Sequence, residues 1–182
     1  MQTYIAILRG INVGGKRIIK MLALKEMFIT LGYQNIATYI QSGNVVLQSK
    51  KANPIKLAEV ITNAISKTFG FDVPVIVFEY ETLNNIVEEN EFLKHKSKSV
   101  EHLHITFLAD ELTKENQAKI KREDYLPDEF LIHGKAIYLY CPNGYSKSKL
   151  TNDFFEKKLR VNATTRNWKT TLAIKEIANQ IQ

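Results

Sequence analysis

The residues whose types could do chemistry are concentrated in one short segment, residues 9–16. Three glycines, an asparagine and flanking Arg and Lys side chains follow directly on an apolar run at residues 4–8. A glycine-rich loop at the end of a strand can turn backbone N–H groups toward an anion, so the segment predicts a phosphate or carboxylate site. A loop whose glycines serve only its own backbone is the alternative. The predicted ligand groups are Arg9, Gly10, Asn12, Gly14, Gly15 and Lys16.

The same segment matches the spacing G-x-x-x-x-G-K of a P-loop, but the next residue is Arg17. A P-loop needs Ser or Thr there to hold Mg²⁺, between a strand and a helix of a parallel sheet. Residues 17–20 delay the following helix, and the strand pattern is that of an antiparallel sheet. We therefore predict no metal-dependent hydrolysis of nucleoside triphosphates.

Two further polar blocks supply candidate ligand groups. Residues 41–44 read Gln-Ser-Gly-Asn between two β-rich runs, which indicates a hairpin because Gly and Asn accept positive φ. Residues 164–168 read Thr-Thr-Arg-Asn-Trp, whose polar and aromatic groups suit a planar or phosphorylated ligand. In the alternative interpretation Trp168 anchors the last helix in the core, and Thr170 or Thr171 caps that helix. The predicted ligand groups are Gln41, Ser42, Asn44, Thr165, Arg166, Asn167 and Trp168.

Three weaker motifs have simpler interpretations. The S-x-x-K spacing at residues 146–149 is typical of acyl enzymes, but it also suits a polar helix start after a turn. His102 and His104 share one face of a strand without a third ligand at a supporting spacing, so no metal site is predicted. Cys141 is the single cysteine, so it cannot form an internal disulfide, and a half-buried, unreactive thiol is expected.

Composition limits the class of protein and the kind of partner. Of the 182 residues 45% are apolar, enough to bury a core. Lys and Arg outnumber Asp and Glu by 25 to 19, and the net charge of +6 favours anionic partners, although the basic residues are scattered through both halves. No signal peptide is evident, and no apolar stretch approaches the ~20 residues that span a bilayer. A cytoplasmic location without a membrane partner is therefore predicted.

The periodicity of the apolar residues predicts two halves with the same order of elements, β-α-β-β-α-β. The predicted fold class is α+β: two tandem ferredoxin-like halves, each an antiparallel sheet with two helices on one face, plus a C-terminal helix. The halves are expected at residues 1–93 and 100–182, able to pack as one domain, with a solvated basic linker at 94–99. Strands are predicted at residues 3–8, 36–40, 45–47, 73–78, 102–108, 130–132, 137–140 and 163–166, and the second half includes a helix at 113–122.

This topology brings distant segments together. Strands one and two point the same way, so the loop after strand one and the hairpin after strand two emerge at the same end of the sheet. One intervening strand separates them, on the order of 10 Å. Residues 9–16 and 41–44 are therefore expected to line one rim. The sequence does not show whether residues 164–168 join them.

Five blocks together resemble the bacterial family grouped as domain of unknown function 1697. The resemblance implies two ferredoxin-like halves and a small cytosolic protein, and it makes residues 9–16, 41–44 and 166–168 the shared polar positions. It implies no activity, because none is assigned to the family. Lys169 and Thr171 depart from the Asn and Val expected there. The matching blocks are residues 6–16, 38–46, 69–75, 148–150 and 164–168.

Two functions follow as hypotheses. The first is a binding module for a nucleotide or another phosphorylated small molecule, because cations, amides and backbone N–H groups are abundant and no general base is evident. The second is a small enzyme in which the same groups stabilise negative charge, with Thr164, Thr165 or Ser42 as nucleophile. Nucleic acid is predicted to bind weakly and with steep salt dependence. The sequence identifies neither a cofactor nor an oligomeric state.

Overall fold

Two four-stranded antiparallel sheets frame the computed structural model, which describes every residue from Met1 to Gln182. The first sheet has the order β2-β3-β1-β4 and the second the order β6-β7-β5-β8, so the two share one connectivity. The predicted α+β class, with two antiparallel sheets and a C-terminal helix, is confirmed. The strands are β1 (Gln2–Leu8), β2 (Gln34–Tyr39), β3 (Asn44–Ser49), β4 (Val75–Glu79), β5 (Leu103–Leu108), β6 (Glu129–His133), β7 (Ala136–Tyr140) and β8 (Ala163–Asn167).

Helices connect and cover the strands in the same order in both halves. The first half has one helix between β1 and β2 and another between β3 and β4, and the second half repeats this placement. No helix is both long and apolar enough to cross a membrane. The helices are α1 (Met21–Thr30), α2 (Pro54–Phe69), α3 (Tyr80–Glu88), α4 (Lys114–Gln117), α5 (Asn152–Leu159) and α6 (Trp168–Ile181).

Helix α2 shows how local sequence sets an element. Pro54 occupies the first turn, where its missing N–H is not needed, and the Asn53 side chain accepts a hydrogen bond from Ile55 N at 2.8 Å. Gly70 ends the helix with a φ of 79°, which suits a residue without a Cβ. Between these signals one apolar face is buried, through Leu57, Ile61 and Ile65.

The first core lies between one face of the first sheet and helices α1 and α2. Alternate residues of β1 point into it, so Tyr4 and Leu8 are fully buried against Phe28 and its neighbours. The Tyr4 hydroxyl is satisfied there: it donates to Ala52 O at 3.0 Å and accepts from Ala52 N at 2.9 Å. These two hydrogen bonds tie the first half of β1 to the segment that follows β3.

The backbone divides into two compact units. Unit 1 comprises Met1–Asn85 and Ala173–Gln182, and unit 2 comprises Ile86–Leu172. The last turns of α6 belong to unit 1, where Gln48 Nε2 donates to Ile181 O at 2.8 Å. The units therefore differ from the predicted halves in the placement of residues 86–93 and of the chain's end.

Three local expectations need correction. The helix expected at residues 113–122 is the single turn α4, because the segment contains only one buried large apolar side chain, Ile120, and offers no face to bury. Residues 146–149 do not start α5: a single 3-10 turn at Tyr145–Lys147 follows Gly144, and α5 begins at Asn152 behind its Thr151 cap. The basic segment 94–99 is not wholly solvated: Lys98 pairs with Glu129, and its ammonium lies 4.3 Å from the ring centroid of Tyr140.

Candidate functional site

The loop after β1 and the hairpin between β2 and β3 meet at one end of the first sheet. Leu8 N donates to Gly43 O at 2.8 Å, and the Asn12 side chain reaches Gln41 O at 2.9 Å. The element order predicts this common end, but the two loops are in direct contact instead of being separated by the width of a strand. We call residues 9–22 and 40–44 together the rim.

The Asn12 side chain joins the loop after β1 to the hairpin between β2 and β3. Its amide nitrogen donates to Ile19 O at 3.0 Å as well as to Gln41 O, and its Oδ1 accepts from Ile19 N at 2.8 Å. Both amide hydrogens and the carbonyl oxygen are thus used inside the protein. Asn12 has a φ of 55°, which asparagine tolerates better than most residues. Its side chain shapes the rim and is already occupied there.

The two consecutive glycines form a tight turn. Lys16 N donates to Val13 O at 3.0 Å, and Gly14 and Gly15 have φ values of 57° and 73°. Positive φ at both central residues is what a type I′ turn requires, so the turn itself explains the glycines. Both glycines are exposed at the tip of the rim.

The hairpin opposite is closed by its own polar groups. Asn44 is buried, and its Nδ2 donates to Tyr39 O at 3.0 Å and to Ser42 Oγ at 2.9 Å. Ile40 has a φ of 49°, a strained conformation for a β-branched residue. Gln41 is exposed and is the most accessible of the predicted groups in this hairpin.

Charge is segregated along the chain in a way that the overall composition hides. Residues 1–58 hold eight of the 25 basic residues and one of the 19 acidic residues, Glu26. The remaining residues hold 17 basic and 18 acidic side chains, so the first 58 carry the whole excess of positive charge. At the rim Lys16, Arg17 and Lys20 are exposed; Arg9 is half-buried and is not a free cation.

The block at residues 164–168 lies in unit 2 and is largely engaged within it. Trp168 is only 6% exposed, so its indole does not offer a stacking surface. The Asn167 side chain caps α6 by accepting from Thr170 N at 2.8 Å. The alternative interpretation of this block thus fits the structure for Trp168, whereas the capping residue is Asn167.

The other polar groups of this block bond to one another. Arg166 Nη1 donates to Thr164 Oγ1 at 3.0 Å and to Thr165 O at 2.9 Å. Burial lowers the pKa of Arg166 to about 10, which leaves the guanidinium charged at neutral pH. Thr165 Oγ1 lies 2.7 Å from Thr106 Oγ1 and donates to Asn152 Oδ1 at 2.6 Å. That these residues bind a ligand stays a prediction.

His104, which the sequence offers only as a metal-ligand candidate, is a polar neighbour of this block. It pairs with Asn167 across β5 and β8, and its ring stacks on Tyr145 with centroids 4.8 Å apart. Its Nδ1 lies 3.3 Å from His102 O, and burial lowers its pKa, so the imidazole is neutral at pH 7. Only the strand pairing reveals this position, because His104 is remote from residue 167 in the sequence.

His104 makes stability depend on pH. Because its pKa is lowered in the folded state, the unfolded chain takes up the proton first, and the free energy of unfolding falls as pH drops below about 6.5. We expect His104→Phe, which keeps a ring against Tyr145 but cannot titrate, to lose less stability between pH 7.5 and pH 5 than the wild type. Thermal unfolding across that range checks it, and parallel curves for the two proteins would contradict it.

Other candidate chemistry finds little support in the geometry. Cys141 is fully buried, and burial raises the pKa of its thiol to about 11, so the thiolate needed of a nucleophile is scarce at neutral pH. The burial is more complete than expected for this residue. No three His, Cys, Asp or Glu side chains are grouped as a metal site would need.

Comparison with known proteins gives two findings. The model of a family described as Protein of unknown function (DUF1697) matches residues 1–138. The solved structure of the conserved bacterial protein SP0830 from Streptococcus pneumoniae is similar, with a TM-score of 0.75 and 21% sequence identity over 97% of this chain and 98% of that one. That likeness concerns the fold. No curated protein matches the sequence.

Proposed function

This chain belongs to the family described as Protein of unknown function (DUF1697), whose description assigns no activity, and we propose from its first unit that it binds phosphate-bearing small molecules at the rim. Nucleotides are the class that the groups suit best. Exposed cations meet the phosphate oxygens, and the N–H groups of the Gly14–Gly15 turn add donors without charge.

One observation carries the proposal: Lys16, Arg17 and Lys20 are exposed on a loop of fixed shape with no carboxylate among residues 1–25. Helix α1 begins at the same place, with no acidic residue in its first turn and no capping side chain. Its N-terminus adds to the positive potential of these cations. An anion at the rim is therefore attracted by several groups at once.

The needs of the fold alone account for the glycines and asparagines, but not for the cations. The turn explains Gly14 and Gly15, and hydrogen bonds explain Asn12 and Asn44. Adjacent like charges, by contrast, repel one another and lower stability. Binding of an anionic ligand would explain these three cations, whereas the stability of the fold does not require them.

Ligand-dependent stabilisation tests the proposal. We expect ATP, ADP or a sugar phosphate at about 100 times its Kd to add about 2.7 kcal/mol, which raises Tm by roughly 5–10 °C for a chain of this size. The variant Lys16→Gln/Arg17→Asn is expected to lose most of this shift. Asn suits position 17 because Arg17 has a φ of 48° there.

The matched control is Lys50→Gln/Lys51→Gln, which removes two exposed cations that follow β3 at the opposite end of the same sheet. It is expected to keep the full ligand-induced shift. No shift in the wild type with any of these ligands, or an equal loss in both double variants, would refute the proposal. A short RNA added in parallel is expected to bind weakly, since Trp168 is buried, and to be released by about 0.2 M salt.

The shared strand order of the two units supports a second, structural proposal, that they are ferredoxin-like repeats of one ancestral unit. The phosphate-binding proposal concerns unit 1 alone. In unit 2 the loop after β5 continues Ala109-Asp110-Glu111, so it carries carboxylates where unit 1 carries cations. A preference for anions at unit 1 follows from that difference.

A further inference from the structure

Exposed aliphatic side chains cluster at the rim. Of the twelve large apolar side chains exposed in the protein, four lie there: Val13 at 65%, Ile18 at 59%, Leu22 at 71% and Ile40 at 51%. Single exposed aliphatic residues are common on any protein and need no explanation. Four of them lie on the two segments that the Asn12 side chain joins, and this local concentration of exposed aliphatic side chains favours an interaction surface.

The aliphatic residues are interleaved with the cations already described. Val13 pairs with Lys16 across the turn, and Arg17 and Ile18 follow at once in the chain. Residues 9–22 and 40–44 thus combine aliphatic side chains with cations and include no acidic residue. A small phosphorylated ligand would contact the cations, but its binding does not explain four exposed aliphatic side chains.

Three kinds of large partner can be compared with this surface. Binding of single-stranded nucleic acid uses stacking aromatic side chains, and none of residues 9–22 or 40–44 is aromatic. Protein interfaces favour aromatic residues, Met and Arg and disfavour Lys. This surface has two arginines and one Met, but it has no aromatic residue and two lysines. Aliphatic side chains flanked by Lys and Arg are what peripheral contact with an anionic bilayer uses.

We propose that the rim docks on membranes that contain anionic lipids. Val13 and Ile18 enter the headgroup region, while Lys16 and Arg17 contact lipid phosphates. The inference rests on the proposed function in one respect, since the same cations meet phosphate oxygens in both. It departs from the expectation of no membrane partner, which was based on the lack of a spanning segment; docking at the surface needs none.

Vesicle flotation tests the docking surface. We expect the full chain to bind vesicles of phosphatidylcholine with 30% phosphatidylglycerol about tenfold better than vesicles of phosphatidylcholine alone at about 0.1 M salt. The variant Val13→Ser/Ile18→Ser keeps every cation and is expected to lose most of that binding, about tenfold. The control Ile55→Ser/Val60→Ser removes two exposed aliphatic groups from α2 and is expected to bind as the wild type does.

Several outcomes would overturn the proposal. They are equal binding to both vesicle compositions, no loss in Val13→Ser/Ile18→Ser, and an equal loss in the α2 control. Loss of binding to a short RNA or to polyglutamate in Val13→Ser/Ile18→Ser, with vesicle binding kept, would assign the surface to another partner instead.

The same variants separate this proposal from the proposed function. Val13→Ser/Ile18→Ser is expected to keep the nucleotide-induced shift in Tm, because its cations are intact. If nucleotides fail to shift Tm while the vesicle results hold, the small-ligand function is wrong and the docking surface stands. If nucleotides bind and the vesicle results fail, the reverse conclusion follows.

Discussion

Replacing Gly43 by alanine is expected to lower the free energy of unfolding by about 3 kcal/mol or more. A Cβ at this position would lie 2.6 Å from Leu8 Cβ and 3.0 Å from Ile11 Cδ1. Leu8 Cβ is attached directly to the backbone of β1 and cannot swing away. The hairpin would have to separate from β1 and give up the hydrogen bond from Leu8 N to Gly43 O.

The control for this substitution is Gly32→Ala. Gly32 has a φ of +83°, close to the +77° of Gly43, but a Cβ there would meet nothing within 4 Å. Gly32→Ala is expected to lower the free energy of unfolding by about 1 kcal/mol, because alanine is less stable than glycine in the left-handed conformation. Urea unfolding followed by circular dichroism measures both. Similar losses in the two variants would mean that the close approach to Leu8 does not hold the rim together.

Much of the fold could be predicted because each element carries its own signals. Helix α2 has a proline at its start, a glycine at its end and apolar residues every four positions between them. The predicted strands lie within a few residues of the observed ones, because buried strands consist of short β-branched runs between turn residues. The helix prediction was wrong at residues 113–122. The residue types there suit a helix, but they provide no apolar face that could pack against the core.

The meeting of the two loops at the rim could also be predicted, because it follows from the direction of the strands. What each side chain does there could not. Asn12 and Asn44 are residue types that suit ligand binding, yet their amides donate to backbone carbonyls of the rim and of the adjoining Tyr39. Hydrogen-bond partners of this kind are fixed by tertiary structure, and a sequence pattern does not contain them.

The solvent exposure of individual side chains is the second property that the sequence does not reveal. Val13 and Ile18 look like core residues in a sequence, since Val and Ile are among the most frequently buried types. In the structure both side chains lie outside the core, Val13 at the first position of the tight turn and Ile18 shortly after it. Trp168 shows the opposite error: placed beside Arg166 it suggests a ligand surface, but it is buried.

The second large effect is expected from Asn12→Gly. Glycine accepts the φ of 55° without strain, so the substitution removes only the three hydrogen bonds of the side chain. At about 1 kcal/mol each, their loss lowers the free energy of unfolding by about 3 kcal/mol. The amide hydrogen of Ile19, which donates to Asn12 Oδ1, is expected to exchange faster with solvent.

Asn35→Gly is the matched control, because Asn35 is also an asparagine with a left-handed backbone, at a φ of 48°, in the same unit. Its side chain makes one hydrogen bond, to Gln48 Oε1 at 2.6 Å, so a loss of about 1 kcal/mol is expected. If Asn12→Gly lowers the free energy of unfolding no more than this control, the rim keeps its shape without the hydrogen bonds of the Asn12 side chain. If it costs about three times as much, and nucleotide-induced stabilisation falls although Lys16 and Arg17 are intact, then the fixed shape of the loop contributes to binding as well as its charge.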